Sequence, residues 1–385
     1  MVVVYYTSTN FLDVILETIQ SLKNSVSLHV VIEITPASKN STIVDVNDLS
    51  GLGPIETGER VLGKEKWARF QPYFEGVASV QFVVHQHKKA ISFSSLRTAF
   101  TLGRYLKKFK VDVLHFDTVS TRAIGLVPFL LTKKVFITLH DPAPHSGEET
   151  WKDNIPNYVF FPMAKGFFFY SAFAKSQFRE HYKRISKPVY QVKLQPYTFI
   201  SQFLSKEKPP ARTILFFGRL SYYKGIDLLI EAIPLVLAKF PHEQFVIAGS
   251  PSYGYDIDEA TIEKYKNNVT LIKGFLTTQA LVKQIEGSKF IVCPYRDATQ
   301  SGVLMTAFAA GKMVVATNVG SFSEYIDEGH NGLMAEPTVT SIAETIMKAL
   351  QDDQYINIEK QLVSGYSIQT GEANTKSFLQ GYQSK

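Results

Sequence analysis

The chain has 385 residues, 45% of them hydrophobic and 20% charged, with a formal net charge of +6 and a pI near 9.0. That length exceeds what one core supports and fits two domains of about 150–200 residues each. No apolar run approaches the ~20 residues of a membrane span, the single Cys293 leaves no internal disulfide framework and suits a reducing cytoplasm, and the positive balance suggests an anionic partner without naming it.

The N-terminal MVVVYYTSTN lacks a basic leader and reads as a first strand, 2–6. Thr9 and Asn10 follow it, a hydroxyl and an amide able to bind a hydroxylated acceptor. Further strands are expected at 28–34, 80–84, 113–116, 135–139 and 166–170, alternating with helical patterns, which argues a parallel sheet with crossover helices. Residues 35–71 are polar and Gly-rich and read as a long loop or excursion. Two strands end in chemistry-bearing side chains. VDVLHFDT ends in His115 and Asp117, which read as satisfied turn residues. VFITLHDPAPHSGEE delivers His140 and Asp141, with His145 and Glu148 on the following loop. Basic residues cluster in RYLKKFK (104–110) and KSQFREHYKRISK (175–187). A solvated helix face is the first reading of these clusters, attraction to an anionic membrane surface or lipid-linked phosphate the second. No nucleic-acid motif accompanies them.

SKEKPPA (205–211) is the best linker candidate. Beyond it the alternation restarts, with strands expected at 213–217, 244–248, 269–272, 290–293 and 313–317. Helices are expected at 226–239, 278–286, 303–310 and 341–350. The division is therefore a first domain 1–205, a second 206–365, and a tail 366–385 whose helix, about 374–382, packs back on the first domain. Within TILFFGRLSYYKGIDLLIEAI a buried strand ends at Gly218, and Arg219 and Lys224 precede a helix. A helix start presents free N–H groups and a positive dipole end, so two added cations there suit a diphosphate. A second such element is CPYRDATQSGVL, whose helix begins near Ser301 and Gly302. Asp256 and Asp258 have the D-x-D spacing of some metal sites but open a helix, where acids favour the dipole.

The order FFGRLSYYKGIDLLIEA, FVIAGS, VTLIKGF, FIVCPY, AGKMVVATNVGSFSEYI and GHNGLMAEP resembles the GT-B glycosyltransferases of family 4. The resemblance implies an α/β fold of two Rossmann-like doubly wound domains facing a cleft. It implies donor diphosphate on Arg219 and Lys224, with Gly218 beside them and the base near Gly274 and Phe275. It also implies His140 reaching toward the donor sugar, with Asp141 favouring its protonated form. Donor contacts would include Gln300, Ser301, Gly302, Val303, Thr306 and Glu324; acceptor contacts would include Thr9, Asn10, Asp141 and His145. The family's paired glutamates fall at Ala298 and Thr306, so sugar recognition shifts to Gln300 and Ser301. The expected activity is metal-independent, retaining transfer of a sugar from a nucleotide-diphosphate sugar to a saccharide or lipid-linked acceptor. Surface polysaccharide or glycoconjugate synthesis in the cytoplasm, at the inner membrane face, would be its setting. The alternative is a silent GT-B-like binder that scaffolds or regulates a partner transferase.

Overall fold

A computed structural model describes residues 1–39, 43–44, 46, 48–143, 155–252, 254–362 and 366–384. Among these, two sheets form. The first has eight strands in the order β3-β4-β2-β1-β5-β6-β7-β8. They are β1 (Val2–Ser8), β2 (Ser27–Ile34), β3 (Ile55–Glu56), β4 (Ser79–Val84), β5 (Val113–Asp117), β6 (Lys134–Thr138), β7 (Ala164–Phe169) and β8 (Val189–Gln191). Only β3 runs antiparallel, at the edge beside β4. The second sheet is parallel throughout, in the order β11-β10-β9-β12-β13-β14. Its strands are β9 (Thr213–Phe217), β10 (Gln244–Gly249), β11 (Val269–Lys273), β12 (Ser288–Cys293), β13 (Val314–Thr317) and β14 (Gly332–Ala335). The chain is thus an α/β protein of two Rossmann-like domains.

The strand sequences explain the sheet type. Phe167, Phe168 and Phe169 are consecutive and all fully buried, so both faces of β7 are covered. Val30, Val31 and Ile32 of β2 show the same. Continuous apolar runs of this kind belong to parallel sheets clad on both sides.

Of the two readings of 35–71, the described residues favour the excursion over the loop. The described part of this region contains β3 and two helices, Gly58–Leu62 and Lys64–Phe74. Phe70 and Phe74 enter the core from an otherwise charged helix, and Trp67 stacks on Phe74. Three aromatic anchors outweigh the poor local pattern, including Pro72 inside the second helix.

The lobes are joined twice. The first passage is the short helix Thr198–Phe203, held to the helix Leu12–Leu22 by Glu17. The Glu17 carboxylate accepts from Thr198 N (2.8 Å) and Oγ1 (2.6 Å), and burial pushes its pKa up to about 7. The second is the terminal helix Tyr366–Gln383, longer than its sequence pattern indicates, which lies on the first lobe. There Asn374 bonds both backbone groups of Lys193, and His115 Nδ1 meets Tyr382 Oη at 2.7 Å.

Candidate functional site

Most buried polar atoms without partners lie at one edge of each sheet. Among the described residues, eight hold a buried polar side-chain atom with no hydrogen-bond partner; Tyr5 and Glu359 lie inside a strand and a helix, and the other six are Thr9, Thr118, Ser221, Ser252, Gln300 and Ser321. These six follow the carboxyl ends of parallel strands, β1, β5, β9, β10, β12 and β13 respectively, all within four residues except Gln300, which is seven beyond β12. An orphaned buried polar group costs about 1–3 kcal/mol. Doubly wound sheets bind ligands at that same edge. Thr118 adds backbone strain there, a non-glycine residue at φ 67°.

On the second lobe, β9 ends at Gly218 and the chain turns through Tyr222–Lys224 into the helix Ile226–Lys239. Gly225 makes this turn at φ 63°, and a Cβ there would sit 1.9 Å from the Pro294 carbonyl oxygen. Only glycine allows so close an approach, which brings the turn against the end of β12. Arg219 and Lys224 both lean on the Tyr223 ring, 5.8 Å and 5.4 Å from its centroid. Lys224 is buried, lies 4.2 Å from the Tyr295 ring centroid and donates to Tyr295 Oη at 2.6 Å. A Cβ built on Gly218 would be 3.4 Å from Val303 and 3.8 Å from Lys224 Nζ. The β9 turn, the lysine and the start of the helix Gly302–Ala309 therefore meet at one point. Ser301 caps that helix, accepting from Leu304 N. Thr306 lies within it and is half-buried.

On the first lobe His140 is buried and fixed on all sides. Its Nε2 is 2.9 Å from Asp117 Oδ1, and Asp117 also accepts from Thr7 Oγ1 at 3.0 Å. Phe11 stacks on the imidazole at 4.0 Å between centroids, and Tyr170 lies 5.3 Å away. Burial alone would lower the His140 pKa. The Asp117 charge and hydrogen bond raise it above the usual histidine value, with smaller help from Asp141 and Gln300. Two sequence expectations are corrected here. Asp117, not Asp141, is the main partner favouring imidazolium, because it touches the ring. Asp117 is also no mere turn residue, whereas His115 is a core group, held neutral by burial with its pKa lowered to about 3.

The lobes touch across the site. Gln300 Nε2 lies 2.6 Å from His140 Nδ1, Thr299 Oγ1 donates to Asp141, and Ser171 donates to the Thr299 carbonyl. Neutral His140 can accept from the Gln300 amide; imidazolium would instead donate to the Gln300 carbonyl oxygen, satisfying that orphan. Glu324 lies elsewhere on the interface. It accepts from Ala172 N and Phe173 N at the start of the helix Ala172–His181 and from Gln191. Phe275, half-exposed beyond β11 and Gly274, borders a cavity of about 150 Å³ with Lys66, Arg69 and Phe203. Thr9 is buried and Asn10 exposed; His145 and Glu148 lie outside the described residues.

Ala298 is buried, and its carbonyl accepts from Ser321 N at 2.8 Å. Gly320, at φ 54°, approaches so closely that a Cβ would sit 1.9 Å from that oxygen. Asp258 caps the helix Glu259–Lys264, as its place at a helix start suggests. Among the described residues no cluster of His, Cys, Asp and Glu has the arrangement of a metal site.

Residues 211–352 match the family described as Glycosyl transferases group 1. Over this stretch, which is less than half of the chain, the protein is similar to that family. An uncharacterized glycosyltransferase of Methanocaldococcus jannaschii is 32% identical over 162 residues, 40% of this chain and 41% of its own length. The gpi3 subunit of phosphatidylinositol N-acetylglucosaminyltransferase from Schizosaccharomyces pombe is 31% identical over 150 residues, 38% of this chain and 32% of its length. The match therefore spans less than half of either relative. Over the whole chain, the Anabaena protein HepE in complex with UDP superposes with a TM-score of 0.62 at 14% identity, covering 99% and 100% of the two chains. That likeness shows the GT-B fold: two such lobes, facing each other.

Proposed function

We propose that the protein transfers a sugar from a nucleoside-diphosphate sugar to the hydroxyl of a saccharide or lipid-linked acceptor. The observation that carries this reading is the convergence of Arg219, Lys224 and the Ser301–Gly302 helix start around Gly218. As the glycosidic bond to the diphosphate breaks, negative charge grows on the departing oxygen. Two cations and free helix amides stabilise that charge without reorganising. They supply here what a metal ion supplies in other transferases.

The sugar sits between His140 and Gln300, whose direct bond parts when the lobes open to admit it. Asp117 holds the imidazole in place from behind. The anomeric carbon exchanges its bond to diphosphate for one to the acceptor oxygen, with retention, and the acceptor proton leaves on the diphosphate. Closure excludes the water that would otherwise compete. Gln300 and Ser301 read the sugar where Ala298 and Thr306 carry no carboxylate. Gly274 and Phe275 flank the base, Thr9 and Asn10 the acceptor. The name of the fission-yeast relative, a phosphatidylinositol-directed enzyme, supports a lipid-linked acceptor; the UDP in HepE supports a uridine donor.

A thermal-shift screen against uridine, guanosine and adenosine diphosphates tests the reading. At least one should raise the melting temperature, and no shift from any would overturn it. The silent-binder reading is favoured by the alanine at 298 and by the closed His140–Gln300 contact. Slow release of free nucleoside diphosphate from donor would exclude that reading.

A further inference from the structure

From Gly76 to Val111 the sequence holds seven Lys and Arg residues and no Asp or Glu. The helix Phe93–Leu106 occupies the middle of that stretch. It buries Thr98, Ala99, Leu102 and Leu106 against the sheet and turns large apolar groups outward. Phe93 is 83% exposed, Phe100 53% and Leu96 38%, with Ile91 just before the helix at 64%. These helix positions share one stripe at i, i+3 and i+7, and the stripe continues into exposed Arg104, Lys107 and Lys108. Apolar groups therefore lead on the outward face, with exposed Arg97 among them, and cations follow in the last turn.

The lead-in loop is built rather than loose. Buried Arg122 donates to the carbonyls of His87, Lys88 and Lys89 at 3.2, 2.6 and 2.8 Å, and the Ser92 side chain caps the helix. That leaves the Lys88 and Lys89 side chains outside. The other basic cluster behaves differently. Arg179 and Lys187 turn onto backbone carbonyls of their own surroundings.

We propose that the loop 87–92 and the helix Phe93–Leu106 form a surface that docks the first lobe on an anionic lipid bilayer. Aromatic and aliphatic groups beside lysines, without acids, match a helix lying in the bilayer interface. Protein interfaces, by contrast, are depleted in lysine. The geometry suits the site as well. The helix follows β4 in a parallel crossover, so its apolar end lies at the sheet edge that carries Asp117 and His140. Docking sets that edge toward the lipid surface.

The test is sedimentation of the full chain with vesicles of phosphatidylcholine alone and of phosphatidylcholine mixed with phosphatidylglycerol. Binding should require the anionic lipid and weaken with added salt. Each cation at such a surface is worth about fivefold in partitioning. The double variant Arg104→Glu with Lys108→Glu should therefore bind about 25-fold more weakly or worse. Phe93→Ser with Phe100→Ser should lose about tenfold. Both should keep the parent melting temperature, since these side chains are exposed. Equal binding to neutral vesicles, unchanged binding in both variants, or self-association that the phenylalanine variant abolishes in place of vesicle binding would each overturn the proposal. The assay uses no nucleotide, so its failure would leave the diphosphate site at Arg219 and Lys224 standing.

Discussion

The two sides of the cleft are built in opposite ways. On the second lobe the charged groups come from one stretch of chain, with Arg219 and Lys224 five residues apart and sharing the Tyr223 ring. On the first lobe Thr7, Phe11, Asp117 and His140 come from three different strand ends and close on each other. A site made within one turn survives the loss of a member, because the turn itself stays folded. One assembled from distant strands couples chemistry to stability.

The sharpest contrast should come from Asp117→Ala. Removing a buried acid beneath a buried imidazole leaves uncompensated polar groups, and a loss of about 3–5 kcal/mol is expected. The His140–Asp117 contribution is fully present below the unfolded histidine pKa of about 6.5 and is lost as pH rises through the raised folded value. Denaturation curves across that window should show the dependence in the parent and not in the variant. Arg219→Ala should do the reverse. One charge-assisted contact is worth about 1.5–3 kcal/mol, so nucleoside-diphosphate affinity by calorimetry should fall roughly 10- to 150-fold with the melting temperature unchanged. If Arg219→Ala unfolds the protein, the contrast between the lobes is wrong.

Glu17→Gln probes the joint between the lobes. The folded state holds the Glu17 proton up to about pH 7, while the unfolded chain releases it near 4.5. Stability from this group is therefore full below 4.5 and lost as pH rises through 7. The variant should gain on the order of 3 kcal/mol above pH 7 and nothing in acid, measured by chemical denaturation. Glu324→Ala should have the smallest effect, about 1 kcal/mol for a lost helix cap. Its diphosphate affinity should match the parent. A fall as large as that of Arg219→Ala would instead make Glu324 a donor contact.

Strand cores were legible because fully buried parallel strands are continuous apolar runs. Short edge strands were not: β3, β8 and β14 have two, three and four residues, too few for any period. The order of the second-lobe motifs was likewise legible, since a strand, a turn glycine and a cation-bearing helix start are local events. Asp117 was not. Nothing within VDVLHFDT separates it from a turn residue, and its partner His140 lies 23 positions away. Two strands ending in a polar residue at the same sheet edge was the only available signal.

Local chain chemistry by itself determined the alternation of strands and helices and the placing of Arg219, Lys224 and the Ser301 cap ahead of helices. Tertiary structure decided which strand ends lie side by side. That fixed the Asp117–His140 pair, the meeting of Gln300 with His140 across the lobes, and the engagement of Glu324 with the helix Ala172–His181. The physical reason is range. Helix caps and turns are settled by groups a few residues apart, whereas hydrogen bonds between strand ends exist only once the sheets have closed.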